Sequence, residues 1–122
     1  MDVTPLISAD RQIIQSYNAG GFKISGNSYQ GPVLVFPDRT MSWSASSMDN
    51  LKASDFDMLD KKDVDVVLIG CGAQGARLNK EVAQALKARG ILPETMDTGA
   101  ACRTYNVLMA DGRRIAAALL PL

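Results

Sequence analysis

Apolar and polar positions alternate through the first half of the chain, a pattern that predicts antiparallel β-strands. Residues 12–17 and 22–25 form two such segments, and the Gly20-Gly21 pair between them predicts a hairpin turn. Two further strands are expected at 33–36 and 41–45. In the second of these the serines lie on one face and the large side chains on the other, which is typical of a half-buried strand.

After residue 63 the alternation gives way to continuous apolar runs and helical spacing, which predict the order β-α-β-α-β. Leu78, Val82 and Leu86 share one face of the first helix, and Gly90 is suited to end it. Pro93 places the second strand at a sheet edge or delays its start. The expected elements are strands at 64–69, 91–96 and 115–120, a helix at 76–89, and a helix capped by Asp97 or Thr98 and ended by Asp111-Gly112.

These elements predict a single α/β domain over residues 1–122, built as compact layers around a mixed central sheet. Right-handed crossovers are expected to place both helices over one face of the parallel second half. The antiparallel N-terminal strands then extend the sheet and cover its other face. A length of 122 residues suits one hydrophobic core rather than two.

A polar connector rich in Ser, Asp and Lys occupies residues 46–63, and Ser54 is expected to cap one or two helical turns over 55–60. The aspartates of this segment raise the question of a metal site. However, Leu59 stands where a calcium-binding loop needs an oxygen ligand, and no glycine follows. We therefore expect a solvent-exposed segment without a metal ion.

Charge and hydropathy limit the partners of the chain. Thirteen basic and thirteen acidic side chains balance, so nothing favours binding to nucleic acid or to an anionic membrane. No apolar run approaches the roughly 20 residues of a membrane-spanning helix. The N-terminus lacks the features of a secretory signal, and the two cysteines have no metal-site or disulfide spacing. These features predict a cytoplasmic protein with free thiols.

Histidine is absent, which excludes Ser-His-Asp and Cys-His nucleophile arrangements, HExxH metalloproteases and histidine-based proton shuttles. Any catalysis would have to use Cys, Asp, Glu, Lys, Arg or Tyr. No cofactor is indicated, and we lean towards a protein without enzymatic activity.

The segment Gly70-Cys71-Gly72-Ala73-Gln74-Gly75 matches the dinucleotide-binding pattern G-x-G-x-x-G between a strand and a helix. Amides at a helix N-terminus attract anions, so a small anion or nucleotide is one hypothesis for this turn. Against it, too little chain follows Gly75 for a six-stranded dinucleotide fold, and the ribose-binding acid would have to be Glu94 or Asp97. We favour a tight structural turn.

The start of the second helix is expected to lie beside this turn, because both follow parallel strands at the same end of the sheet. Arg103 opposes the helix dipole there, which indicates either a salt bridge to Asp97 or Glu94 or a contact with an anionic ligand or partner. Cys71 and Cys102 are either buried structural residues or nucleophiles. The candidate ligand or partner rim comprises Gly70, Cys71, Gly72, Gly75, Asp97, Thr98, Cys102, Arg103 and Asn106.

Several strings resemble the family known as domain of unknown function 498: residues 96–108 (MDTGAACRTYNVL), 111–113 (DGR), 116–121 (AAALLP), 67–72 (VLIGCG) and 20–22 (GGF). The resemblance covers nearly the whole chain and implies a small α/β domain with a mixed sheet. Members of the family include a mitochondrial assembly factor for respiratory complex I. The family brings no established catalytic residues, and its members commonly have threonine at the position of Cys71.

Together these observations predict a non-enzymatic binding or assembly module with a protein partner, acting on a respiratory or other membrane protein complex. The alternative is a small anionic-ligand or nucleotide-binding protein, or a thiol enzyme, using the 70–75 turn with Cys71 or Cys102. The sequence leaves homo-oligomerisation open.

Overall fold

The computed structural model describes residues 11–122, and within this range the chain forms eight β-strands and two α-helices. Two short 3₁₀ helices, at Met48–Asn50 and Ala53–Phe56, lie in the connection between the fifth and sixth strands. In chain order the main elements are β1 (Ile14–Tyr17), β2 (Gly21–Ile24), β3 (Asn27–Gln30), β4 (Val33–Phe36), β5 (Arg39–Ser42), β6 (Val66–Cys71), α1 (Lys80–Ala88), β7 (Leu92–Met96), α2 (Thr98–Ala110) and β8 (Ile115–Leu120).

Five strands form a mixed central sheet in the order β5-β4-β8-β6-β7. β6 pairs in parallel with β7 and β8, whereas β4 pairs antiparallel with β5 and β8. All six residues of β8 are buried at the centre, and β7, which contains Pro93, lies at an edge. The predicted mixed sheet with a parallel second half is therefore confirmed, as is the edge position of the strand with proline.

The two helices cover opposite faces of this sheet, so the prediction that they share one face is wrong. Val82 and Leu86 of α1 belong to the apolar cluster that contains Ile69, whereas Ala101 and Tyr105 of α2 belong to a second cluster. The chain moves outward from β6 to β7 through α1, then returns past β6 to β8 through α2. Right-handed crossovers in opposite directions place their helices on opposite faces.

A second, three-stranded antiparallel sheet of β1, β2 and β3 packs on the same side as α2. The hairpin predicted around Gly20-Gly21 is confirmed, and the side chain of Asn18 accepts hydrogen bonds from the backbone N–H groups of both glycines. Ile14, Phe22 and Ile24 contribute apolar side chains to the cluster that contains α2. β3 was not anticipated, because the sequence of Asn27–Gln30 is mostly polar and exposed.

The strand expected at 41–45 is displaced towards the N-terminus, since β5 comprises Arg39–Ser42. Beyond its end Trp43 and Ala45 are still buried, and Ser44 is exposed. The alternation of buried and exposed residues thus continues after β5 ends, which is why the polarity pattern placed the strand too late.

The connector at 46–63 differs from its prediction in two ways. Ser54 caps no helix: Lys52 is the N-cap of the second 3₁₀ helix, and its backbone N–H donates to the Asp55 carboxylate (2.9 Å). Asp55 is itself buried and accepts a hydrogen bond from the Ser44 hydroxyl (2.7 Å). The segment also contributes to the core through Leu51, Phe56 and Leu59. The connector is therefore a partly buried segment that packs on the α1 side of the sheet, rather than a wholly solvent-exposed loop.

Candidate functional site

The glycine-rich segment 70–75 runs from the end of β6 towards the first turn of α2. The backbone N–H of Gly72 donates to the Thr98 hydroxyl (2.8 Å), and the N–H of Thr98 donates to the carbonyl of Gly72 (2.8 Å). A Cβ atom added at Gly75 would lie 3.9 Å from the backbone nitrogen of Asp97. The structure thus brings the glycine turn and the start of α2 together.

Close packing accounts for two of the glycines. A Cβ atom at Gly70 would lie 2.9 Å from Leu119 Cδ2 and 3.0 Å from Thr98 Oγ1, so α2 approaches β6 only because this position has no side chain. Gly72 has a φ of +94°, a backbone conformation that side-chain-bearing residues rarely adopt. Both glycines are therefore explained by the fold, without a bound nucleotide.

Asp97 and Thr98 fix the N-terminus of α2 to the sheet. The Asp97 carboxylate is the N-cap and accepts from the N–H of Ala100 (2.8 Å). The Thr98 hydroxyl is fully buried and donates to the carbonyl of Leu120 (2.6 Å) while it accepts from Gly72. Within residues 11–122, every buried side-chain nitrogen or oxygen has a hydrogen-bond partner. The polar side chains at this end of the sheet consequently bind the backbone of the chain itself and hold α2 against the sheet.

The first helix begins four residues later than predicted, at Lys80 instead of Ala76. Asn79 caps it by accepting from the N–H groups of Glu81 (2.8 Å) and Val82 (3.4 Å). Two of the free amides are therefore already bonded, and Glu81 places a negative charge in the first turn. The 70–75 turn does not open directly into a helix, which removes the physical basis of the dinucleotide pattern here.

The two cysteines lie on opposite faces of the central sheet. Cys71 is half-buried against the cluster on the α1 side, whereas Cys102 is buried in the cluster on the α2 side. Burial raises the pKa of the Cys102 thiol from 9.0 to about 12, so this side chain remains a neutral thiol at neutral pH. The arrangement supports neither a redox pair nor a reactive thiolate at Cys102.

Arg103 and Asn106 both bind β1 across the helix surface. The Arg103 guanidinium donates to the Tyr17 hydroxyl (3.2 Å). In the described part of the chain it forms no ion pair, so the predicted salt bridge to Asp97 or Glu94 is not formed. Asn106 donates to the carbonyl of Ile14 (2.8 Å) and accepts from the N–H of the same residue (3.0 Å). Asn106 thus takes the place of a neighbouring strand for one residue of β1.

The predicted rim therefore separates into three groups. Gly70, Gly72, Gly75, Asp97 and Thr98 form one connected packing unit; Cys71 and Cys102 lie apart on the two faces; Arg103 and Asn106 attach β1 to α2. Across residues 11–122 no three metal-binding side chains come together. Neither helix in this range is long and apolar enough to cross a bilayer.

A cluster of arginines at the opposite end of the sheet was missed by the sequence analysis. Arg11, Arg39, Arg113 and Arg114 line one depression, although they come from three distant parts of the chain. Their only sequence signal was the adjacent pair of arginines directly after the Asp111-Gly112 turn. The net charge of zero gave no sign of the cluster, because acidic residues beside it and in the rest of the chain balance the arginines.

Comparison with known proteins gives a consistent assignment. The family model described as "Protein of unknown function (DUF498/DUF598)" matches residues 14–120. A human protein named NADH dehydrogenase [ubiquinone] 1 alpha subcomplex assembly factor 3 is 36% identical over 116 residues, which cover 93% of this chain and 63% of the human protein. The chain therefore spans less than two thirds of that relative's length.

Solved structures share the fold. The crystal structure of an outer membrane protein from Bartonella henselae superposes with a TM-score of 0.83 at 31% identity, covering 93% of this chain and 97% of the other. The solution structure of a Bordetella pertussis protein described as a Mth938-like domain gives a TM-score of 0.79 at 27% identity, covering 99% and 91%. With the family model matching nearly the whole described chain, the protein belongs to the DUF498/DUF598 family.

Proposed function

We propose that this protein is a non-enzymatic assembly module, which binds a protein partner in the cytoplasm during the assembly of an NADH dehydrogenase complex. The observation that carries the proposal is the human relative, which is named as an assembly factor and matches 93% of this chain. The family model covers residues 14–120, which include both sheets and both helices, and this supports the proposal that the two proteins use the same domain for binding.

The outer face of α2 is the proposed contact surface. Val107 lies there with 67% of its surface exposed, the largest value among the exposed large hydrophobic residues of the described chain. Arg103 is exposed one turn earlier on the same helix. Arginine beside apolar surface is a common composition of protein interfaces, because its planar head pairs with carboxylates while its stem packs on apolar groups.

The geometry of the remaining rim supports a binding role over catalysis. Asp97, Thr98 and Asn106 direct their polar atoms to the backbone of the chain itself, and Cys102 is buried as a neutral thiol. A general acid or base must be within reach of a substrate proton. These four side chains instead face groups that belong to the fold.

The test is to delete the gene in its host and to measure assembled NADH dehydrogenase by native electrophoresis with in-gel activity staining. We expect less mature complex, accumulation of partial assemblies, and recovery when the wild-type gene is returned. Arg103→Glu and Val107→Glu are expected to recover the complex poorly, because each places a negative charge on the proposed contact face. Lys80→Glu, an equal charge reversal to that of Arg103→Glu but on α1 across the sheet, serves as the matched control.

Circular dichroism of the purified variants establishes that each one folds before its result is used. A deletion strain with normal amounts of assembled complex would contradict the assembly role. Full recovery by both α2 variants would contradict the proposed contact face but not the assembly role.

A further inference from the structure

A depression of about 280 Å³ lies at the end of the central sheet opposite the glycine turn. It forms where β4 turns into β5 and where α2 leads into β8, since the end of antiparallel β4 lies beside the start of β8. Phe36 and Pro37 are the apolar side chains of its lining. Four arginines and two aspartates are among the residues around it: Arg11, Arg39, Arg113, Arg114, Asp38 and Asp63.

Two of the arginines are held in place by the chain. Arg114 forms a two-pronged pair with the Asp65 carboxylate (2.6 and 3.1 Å) and also donates to the carbonyls of Lys61 and Lys62. The Arg39 guanidinium stacks 3.9 Å from the centre of the Phe36 ring and pairs with Asp38 (3.0 Å). Fixed guanidinium groups bind carboxylates at a lower cost in side-chain entropy than mobile ones.

The side chains of the other two arginines are not engaged by the described part of the chain. The side chains of Arg11 and Arg113 are exposed and form no ion pair or hydrogen bond with residues 11–122. The lining of the depression contains four arginines and two aspartates, and Asp65 beside it pairs with Arg114, so one positive charge remains in excess on a chain whose net charge is zero. A negatively charged occupant is the complement of this surface.

We propose that this depression binds an acidic segment of a protein partner through the carboxylates of its aspartate or glutamate side chains. The inference rests on the proposed function for the existence of a partner, and it adds the chemistry of the docking segment. The volume lies below the range of about 300–1,000 Å³ typical of pockets that enclose small molecules, and three of its four arginines are solvent-exposed. Such an open surface can accommodate side chains that project from a protein partner.

The depression continues the surface proposed above. α2 carries Val107 on its outer face and ends at Ala110, and Arg113 follows the Asp111-Gly112 turn directly. Gly112 turns the chain with a φ of +79°, so the cations lie at the C-terminal end of that helix. A partner lying along α2 therefore meets an apolar contact first and a cationic depression at the end.

The test measures the anisotropy of a fluorescein-labelled hexaglutamate peptide titrated with the full chain at low ionic strength. We expect saturable binding that hexaglutamine does not reproduce. Arg113→Ala is expected to weaken binding by about two- to fivefold, and the double variant Arg11→Ala/Arg113→Ala by about tenfold, because exposed ion pairs each contribute little. Arg77→Ala removes an equal charge from the other end of the sheet and is expected to leave binding unchanged.

Three results would overturn the proposal: no binding of hexaglutamate to the wild type, equal binding by the double variant, or equal weakening by Arg77→Ala. Competition by inorganic phosphate at concentrations where glutamate does not compete would also overturn it, in favour of a phosphate site. The peptide titration does not depend on NADH dehydrogenase assembly. Failure of the docking chemistry is therefore distinguishable from failure of the assembly role, which the gene deletion tests separately.

Discussion

At the scale of single residues, Cys102 is the clearest case of a chemical group whose properties the fold changes. The residue is 2% exposed, and burial is the main cause of its raised pKa of about 12. The nearby Arg103 opposes this increase, and Asp97 adds to it. A cysteine that the sequence offered as a nucleophile is therefore held in its neutral form by the core.

This burial predicts a specific dependence of reactivity and stability on pH. At pH 8 iodoacetamide is expected to label Cys102 only after unfolding, as measured by mass spectrometry of peptides. The unfolded thiol ionises near pH 9 and the folded one near 12, so the unfolded state releases its proton first. The contribution of the Cys102 thiol to stability is consequently full below pH 9 and falls as pH rises towards 12, by at most about 1.4 kcal/mol per pH unit for one proton.

The variant Cys102→Ala isolates this contribution in urea unfolding at pH 8 and pH 10.5. Burial also raises the pKa of Tyr105, so the variant should still lose stability at alkaline pH, but less than the wild type. An equal loss in both proteins, or rapid labelling of Cys102 in the folded chain, would contradict the prediction.

Other residues of the rim show what a sequence can and cannot indicate. Asp97 as a cap and Gly90 as a left-handed helix end follow from local rules, and the structure has both. The partners of Arg103 and Asn106 lie 86 and 92 positions away along the chain. No local pattern encodes such contacts, because they depend on how β1 is placed on α2.

At the scale of elements, the β1–β2 hairpin has two adjacent glycines with different roles, Gly20 in the turn and Gly21 at the start of β2. A Cβ atom at Gly21 would lie 2.0 Å from the backbone oxygen of Tyr29, so a side chain there would force β2 and β3 apart. A Cβ atom at Gly20 would meet nothing closer than 3.7 Å. Only the second glycine is therefore required for strand pairing.

Gly21→Ala is accordingly expected to lower the free energy of unfolding by about 1–3 kcal/mol or more, because the clash involves backbone that cannot rotate away. Gly20→Ala should change it by less than about 1 kcal/mol in either direction. Urea unfolding followed by circular dichroism measures both variants. Similar losses at the two positions would show that the strand contact does not determine the need for glycine.

The start of α1 illustrates how an element boundary is misplaced. Leu78 fits the helical spacing of Val82 and Leu86, and it does pack against the core, yet it precedes the helix. Apolar spacing reports which side chains face the core, and a loop residue can satisfy it as well as a helical one. Asn79 followed by Lys80 and Glu81 was the better signal, since asparagine is among the preferred N-caps.

At the scale of the whole molecule, the side of the sheet on which α2 lies depends on strand order. The sequence contained indirect signals: the six residues of β8 are all apolar, as in a central strand, whereas β7 contains Pro93 and Glu94, as in an edge strand. Placing β8 between β4 and β6 reverses the direction of the second crossover and moves α2 to the other face. The three-stranded sheet therefore packs against α2 as well as against this face of the central sheet.

Attachment of the small sheet to the rest of the molecule depends on Asn106. Its amide satisfies both backbone groups of Ile14, which no strand within residues 11–122 pairs on that side. Asn106→Ala leaves this N–H and this carbonyl without their partner, at a cost of about 1–3 kcal/mol. We expect hydrogen exchange in β1 and β2 to accelerate by about tenfold or more, while β6 and β8 change little, because local opening precedes global unfolding.

Thr104→Ala is the matched control, since it also shortens a polar, partly buried side chain of α2 and removes no hydrogen bond seen in the described chain. Equal acceleration in all strands would mean that Asn106 stabilises the fold as a whole rather than the docking of the small sheet. Unchanged exchange in β1 would show that the apolar contacts of Ile14, Phe22 and Ile24 hold this sheet without the amide. The distinction bears on function, because Arg103 on the proposed contact face is bonded to Tyr17 of the same sheet, and a partner bound there would protect β1 as well.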